Sequence, residues 1–259
     1  MLFRSDGQPL LPVGTIYDPF VARALEPWSF GIYSGGQSIL VGTPSGVTLG
    51  PEGGAHQSVI TPSIGIEQPG CVAYEPAFGQ DLEWCLLHAL SRLGRPGGES
   101  AYFRLSTRPI DQALHTGTRA EAIAGGYPLT SPDSPTLLIA VMGALVPEAL
   151  TAAATLADEA GIAAEVVCVT SADLLFRSFQ ARAGLGEGDP HLVERLFPHD
   201  VPVVTLVDGH PHTLAFLGGD RVACLGVQRF GQSGDIAELY EHHEIDAESV
   251  VGAALDLLA

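Results

Sequence analysis

The sequence contains no lysine. All 12 cations are arginines, set against 30 acidic residues, for a formal charge of −18 over 259 residues. That balance argues against a nucleic-acid partner, because a polyanion would be repelled, and against docking on an anionic membrane. Long apolar runs are missing as well. The richest, Thr136 to Leu145, has the length of a strand, short of the roughly 20 residues that a membrane span needs. The opening stretch, MLFRSDGQP, turns polar too soon to read as a signal peptide. Cysteine is scarce: Cys71, Cys85, Cys168 and Cys224 each lie in an apolar run and none forms a CxxC. The pattern reads as reduced core thiols in a cytoplasmic protein and argues against a disulfide scaffold or structural zinc. No GxGxxG follows a strand, no GxSxG is present, and a P-loop is excluded for want of a lysine.

What is present is an apolar share of 46%, ample for a core, in a length that suits one large or two small domains. Two blocks alternate strand-like and helix-like runs. In the first, Leu11–Tyr17, Ser38–Thr43, Cys71–Tyr74 and Ala101–Ser106 read as strands. Asp18-Pro19 reads as the cap and first turn of a helix. Asp81–Leu93 is helical: Leu82, Cys85, Leu86, Ala89, Leu90 and Leu93 share one face, and Gly94 stops it. Residues 113–135, polar and carrying Pro128, Pro132 and Pro135, read as a linker. The second block, 136–259, places strands at Leu137–Val141, Val166–Thr170, Val203–Val207 and Val222–Val227. Its helices run over Val146–Ala160, from Asp235 to about His243, and from Asp246 to Leu258. The expected fold class is α/β: two successive domains, 1–112 and 136–259, with mainly parallel sheets.

In a parallel sheet, loops at the carboxyl ends of the strands gather on one edge, where ligands bind. For the first block these are Tyr17-Asp18-Pro19-Phe20, the glycine-rich loop from Thr43 to Gln57, Tyr74-Glu75-Pro76 and Ser106-Thr107-Arg108. Tyr17, Phe20, Glu52, His56 and Arg108 are therefore expected on one rim. Taken alone, Phe20 and Tyr17 read as core before ligand platforms, and His56 as a surface or hydrogen-bonded loop histidine; what sets His56 apart is Gly50, Gly53 and Gly54 just before it, as if backbone there approached something closely. An imidazole with Glu52 four residues upstream can move protons. His210-Pro-His212 beside Asp208 is one short cluster broken by proline and is not read as a metal site. His242-His243 reads as complementing a helix dipole.

Five segments in order, LPVGTIYDPF, LVGTPSGVTLGPEGGAHQS, AYEPAFGQDLEW, YFRLSTRP and LGVQRFGQSGDIAELYEHHEIDAESVV, resemble the C-terminal half of the thiamine-diphosphate-dependent transketolase superfamily. The nearest likeness is the single-chain bacterial pyruvate dehydrogenase decarboxylase component. The resemblance implies a partial pyrimidine-binding domain followed by a transketolase C-terminal domain. It implies that Phe20 stacks on the cofactor's aminopyrimidine and Tyr17 lines the same pocket, with Glu52 and His56 catalytic and facing thiazolium and substrate. The family's GDG…N diphosphate and magnesium motif is absent, and no glutamate lies in the ten residues before the first strand to activate the aminopyrimidine. The resemblance therefore implies a second subunit that carries the diphosphate domain, holds Mg2+ and supplies the activating glutamate, in a heterotetramer; Met1 leans toward a natural split over a fragment. The implied substrate is a small 2-oxo acid such as pyruvate, its two-carbon unit passing to a lipoyl group or a carbonyl carbon. Pro44 and Thr107 stand where sugar-phosphate-binding transketolases carry histidine and arginine, which weakens ketol transfer, though Arg108 lies next door. A non-catalytic assembly or regulatory subunit is the other reading.

Overall fold

A computed structural model describes residues 4–5 and 8–259; part of the opening stretch read above as no signal peptide lies outside the described residues. The short strands β1 (Arg4–Ser5) and β2 (Gln8–Pro9) pair antiparallel ahead of the first unit.

The first unit runs β3 (Val13–Ile16), α1 (Val21–Tyr33), β4 (Ile39–Gly42), α2 (Ile64–Glu67), β5 (Cys71–Tyr74), α3 (Gly79–Arg92) and β6 (Ser100–Arg104). Its four strands are all parallel, in the order β3-β4-β6-β5. Strand β6 is buried along its length, as expected of a central parallel strand. Strand β3, at the sheet's edge, is not: Val13 is 52% exposed. On α3 the expected stripe faces inward, with Cys85, Ala89 and Leu93 buried.

The stretch read as a linker carries structure of its own: α4 (Arg119–Ala124), opened by a capping box from Thr118 and Glu121, and β7 (Gly126–Pro128). The second unit continues with β8 (Leu137–Met142), α5 (Val146–Ala160), β9 (Ala164–Val169), α6 (Ala172–Arg182), α7 (Leu192–Leu196), β10 (Val203–Val207), β11 (Val222–Gly226), α8 (Ile236–His242) and α9 (Ala247–Leu258). The strand order is β11-β10-β8-β9-β7, parallel except for β7, which closes the edge antiparallel to β9. Three proline signals hid α4 and β7; Pro128 is tolerated because β7 lies at an edge. Gly161, with φ of 66°, takes the left-handed position that ends α5. Ile139, Ala140 and Val141 in β8 are fully buried, and α5 and α9 cover one face of the sheet. Cys71, Cys85 and Cys168 are buried free thiols whose pKa burial raises, so they stay protonated.

The carboxyl edges of the two sheets meet. The Val47 N–H donates to Asp208, just past β10, and the Glu75 N–H donates 2.8 Å to the Thr170 carbonyl, just past β9. The His210 N–H reaches the Val59 carbonyl at 2.8 Å. Loops of the first unit thus fill the crevice at which a parallel sheet otherwise takes a ligand.

Candidate functional site

Strand β3 ends at Ile16, so Tyr17 stands at its carboxyl end, and the turn Asp18–Phe20 carries Phe20 onto the rim with its N–H bonded 2.8 Å to the Tyr17 carbonyl. The loop after β4 folds as two short turns, Val47–Glu52 and Gly54–His56, and returns Glu52 and His56 to the same place. Tyr17 OH donates 2.6 Å to Glu52 Oε2. Ring centroids lie 5.5 Å apart for Tyr17 and Phe20, 5.8 Å for Tyr17 and His56, and 6.4 Å for Phe20 and His56. Burial, with the hydrogen bond to Glu52 adding to it, pushes the Tyr17 phenol up to about 12, so it remains a neutral donor. His56 Nδ1 is 3.2 Å from the Glu52 carbonyl oxygen. With Nδ1 donating there, Nε2 is the nitrogen placed to take up a proton. Phe20 is 39% exposed, and the Arg23 guanidinium carbon lies 5.3 Å from its ring centroid.

Beneath this rim lies a buried polar seam. Asp18, fully buried, accepts from Ser58 Oγ, from Thr61 Oγ1 at 2.7 Å, from Tyr102 OH and from Arg104 Nε at 3.3 Å. Arg104, the last residue of β6 and 1% exposed, also donates to Glu75 Oε1 at 2.6 Å. Burial alone would lower its pKa, but Glu75, Asp18 and Asp208 together raise it, so the guanidinium stays charged. Burial pushes Glu75 up to about 7, against the pull of Arg104. Burial likewise raises Asp208.

Tyr17, Phe20, Glu52 and His56, singled out from the sequence, all come together. Arg108 does not join them: its guanidinium forks onto Glu148 at 2.5 and 2.7 Å, donates 2.8 Å to the Ala144 carbonyl and lies over the Tyr240 ring. Asp18 is no helix cap; neither the turn nor α1 has a side-chain cap, because the carboxylate turns into the seam. The loop glycines also have another reason. A Cβ on Gly54 would strike the Gly231 backbone, and one on Gly50 would meet Leu239 and the Gly234 carbonyl. The close approach is to the FGQSG loop and α8 of the second unit. His243 is buried with neither ring nitrogen bonded, and burial with His242 beside it lowers its pKa; the neutral ring does not complement the helix dipole. His210 and His212 face each other through Nδ1 at 2.7 Å, while Asp208 is spent on Val47. Among the described residues no cluster of three metal-ligating side chains exists. The residues missed were Arg104, Ser58 and Thr61. A signal was there: an arginine in the otherwise apolar strand SAYFR must find buried carboxylates.

Residues 125–246 match the family described as the transketolase-like TK C-terminal domain. The chain is 29% identical to the transketolase of Kluyveromyces lactis over 94% of its own length and 33% of the relative's. It is 24% identical to the pyruvate dehydrogenase E1 component of Escherichia coli K12 over 99% of its length and 31% of the relative's. It thus spans about a third of the curated relatives it matches. Among solved structures, transketolase from Leishmania mexicana superposes with a TM-score of 0.79 at 22% identity, over 96% of this chain and 34% of that one. A shorter chain, a split gene transketolase solved as an inactive beta4 tetramer, superposes at 0.66 and 20% identity over 96% of this chain and 77% of that one. The resemblance read from the sequence therefore holds: residues 125–246 resemble the transketolase C-terminal domain, and nearly the whole chain is similar to about a third of transketolases and pyruvate dehydrogenase E1 components.

Proposed function

We propose that the chain is one subunit of a split thiamine-diphosphate-dependent enzyme that decarboxylates a 2-oxo acid and transfers the two-carbon unit. Its first 112 residues are read as a partial pyrimidine-binding domain and 136–259 as the C-terminal domain. The observation that carries this reading is the gathering of Tyr17, Phe20, Glu52 and His56 on one rim. The rim suits an aminopyrimidine: an aromatic face open to solvent for stacking, ringed by a phenol, a carboxylate and an imidazole. When bound, the cofactor supplies an electron sink for cleavage of a carbon–carbon bond. Phe20 and Tyr17 bind and orient the ring, Glu52 holds the Tyr17 hydroxyl, and His56 Nε2 takes or returns a proton at the substrate oxygen. Arg108 is committed to Glu148, which leaves it unavailable for a sugar phosphate and favours the 2-oxo acid.

The diphosphate, Mg2+ and the activating glutamate fall to a partner chain. A second subunit also suits the open edge of the first sheet. There a trough of about 580 Å³ is lined by Pro12, Val13, Trp28, Phe30, Ile32 and Leu40, and Phe30 and Tyr33 are exposed at 70% and 88%. Among the described residues the outer edge of β3 has no strand partner, and beside such a trough it calls for a covering strand. Ketol transfer is the second reading, favoured by the Arg23 cation beside Phe20 and by the split gene transketolase among the structural neighbours.

The test combines the chain with a polypeptide carrying a GDG…N motif and the activating glutamate, with thiamine diphosphate and Mg2+. Pyruvate should release carbon dioxide only when both chains are present, and His56→Ala or Phe20→Ala should cut the rate at least a hundredfold. Undiminished turnover in those variants sinks the site assignment. Turnover with a ketose phosphate and none with pyruvate selects the second reading.

A further inference from the structure

We infer that Asp18 is a positioning residue whose buried carboxylate, held by Arg104, sets the spacing between the Tyr17–Phe20 turn and the loop bearing Glu52 and His56. The name of what the rim holds rests on the proposed function; the placement of the rim residues does not.

Asp18 sits inside the turn whose ends are Tyr17 and Phe20, so fixing it fixes both rings. It takes four donors from two other segments: Ser58 and Thr61 from the loop after β4, and Tyr102 and Arg104 from β6. Ser58 lies two residues beyond His56. Its hydroxyl donates to Asp18 while accepting from the Gly46 N–H at 3.2 Å and from Arg104 Nη2 at 3.3 Å. One carboxylate therefore ties together the two segments that supply the rim. A buried carboxylate keeps its charge only when its donors are in place, and charge-assisted bonds hold geometry more tightly than neutral ones. The contacts above the seam are weaker restraints. Glu52 is exposed, so its bond with Tyr17 competes with water, and the aromatic contacts are spaced for edge-on rather than close packing.

Gly42, which ends β4, carries the same mark. A Cβ there would overlap Asp18 Oδ1 and stand 2.7 Å from Tyr102 OH. Space is thus kept for this carboxylate from a third direction. Arg104 is held in turn by Glu75, so the seam anchors the turn to the centre of the sheet.

The test reads ring geometry directly, on the full chain with selectively labelled aromatic residues, through nuclear Overhauser contacts of the Phe20 and Tyr17 rings with His56. Ser58→Ala should weaken the Phe20–His56 contact at least threefold while the melting temperature stays near that of wild type, and Asp18→Asn should weaken it further. Ser106→Ala removes a hydroxyl that bonds Thr48 in the same loop, 3.0 Å away and outside the seam; it should leave the contact intact. Should Asp18→Asn not fold, Ser58→Ala against Ser106→Ala still decides the matter. Unchanged contacts in Ser58→Ala, equal weakening in Ser106→Ala, or absence of the contacts from the wild type would each overturn the inference. Thiamine diphosphate does not enter this measurement, so a failure to find carbon dioxide release defeats the proposed function and leaves this inference standing.

Discussion

The two sheets of this chain are built to different standards. Every residue of β8 and β10 is buried, and β7 closes one edge of their sheet with a strand of opposite sense. The first sheet has four strands, one of them exposed along most of its length, and its central strand β6 ends in a buried arginine held by carboxylates. Apolar packing is non-directional and contributes stability; a seam of hydrogen-bonded charges contributes geometry at a net energy near zero. The second unit is therefore the foundation, and the first carries the rim of Tyr17, Phe20, Glu52 and His56, held in shape by Arg104 and by the glycine loops that rest on the second.

The sharpest way to break this picture is to remove the cation from the seam. Arg104→Met leaves Asp18 and Glu75 buried without their partner, and the expected loss is about 3–5 kcal/mol in urea unfolding. A loss below about 1 kcal/mol would mean that the carboxylates are not charged in the folded chain.

Next come two truncations of similar chemistry placed in the two sheets. Ile139→Ala, at a fully buried position in β8, opens a cavity and should cost about 2–5 kcal/mol. Val13→Ala, at the open edge, should stay within about 0.5 kcal/mol while lowering self-association in sedimentation. Equal costs at the two sites would erase the contrast between closed and open sheet.

Acidity tests the seam from another side. Glu75 has a folded pKa of about 7 against an ordinary 4.5. The folded state therefore holds more protons than the unfolded one between those values, and stability falls as pH rises through that window. The contribution is fully present below about pH 4.5 and gone above pH 7, on the order of 3 kcal/mol at 1.36 kcal/mol per unit. Asp173, pushed up to about 6 by burial, acts in the same direction. Glu75→Gln should flatten most of this slope in unfolding curves taken from pH 5 to 8, and an unaltered slope would assign it elsewhere.

Much of this was legible from local signals. The strands Cys71–Tyr74 and Val203–Val207 and the helix Val146–Ala160 were read with their observed bounds, since a β-branched or apolar run between glycines and prolines leaves little choice. All four rim residues were legible because strand ends in a parallel sheet must share an edge. The seam was not, because Asp18, the Ser58–Thr61 stretch, Glu75 and Arg104 come from four separate places in the sequence, and of these Arg104 alone, in a largely apolar strand, marks itself out. Asp18 before Pro19 has a local meaning, a helix cap, that the tertiary fold overrides. Gly50 and Gly54 signalled close approach correctly, but a sequence does not say to what; the neighbour is the protein's own second unit.

That bracing by the second unit yields a small and local effect. Asp235 opens α8 with a capping box: its side chain accepts from the Glu238 N–H at 3.0 Å, and Glu238 reaches back to the Asp235 N–H. Asp235→Ala should cost about 1 kcal/mol, the usual value of such a cap. Helix α8 is also where Leu239 meets Gly50, beneath the turn that presents Glu52. If the second unit holds the rim, hydrogen exchange should quicken at the amides of residues 47–56 as well as in α8, while β8 and β10 are unchanged. If exchange quickens in α8 alone, the glycine loop keeps its shape without support, and the rim's rigidity then belongs to the Asp18 seam on its own.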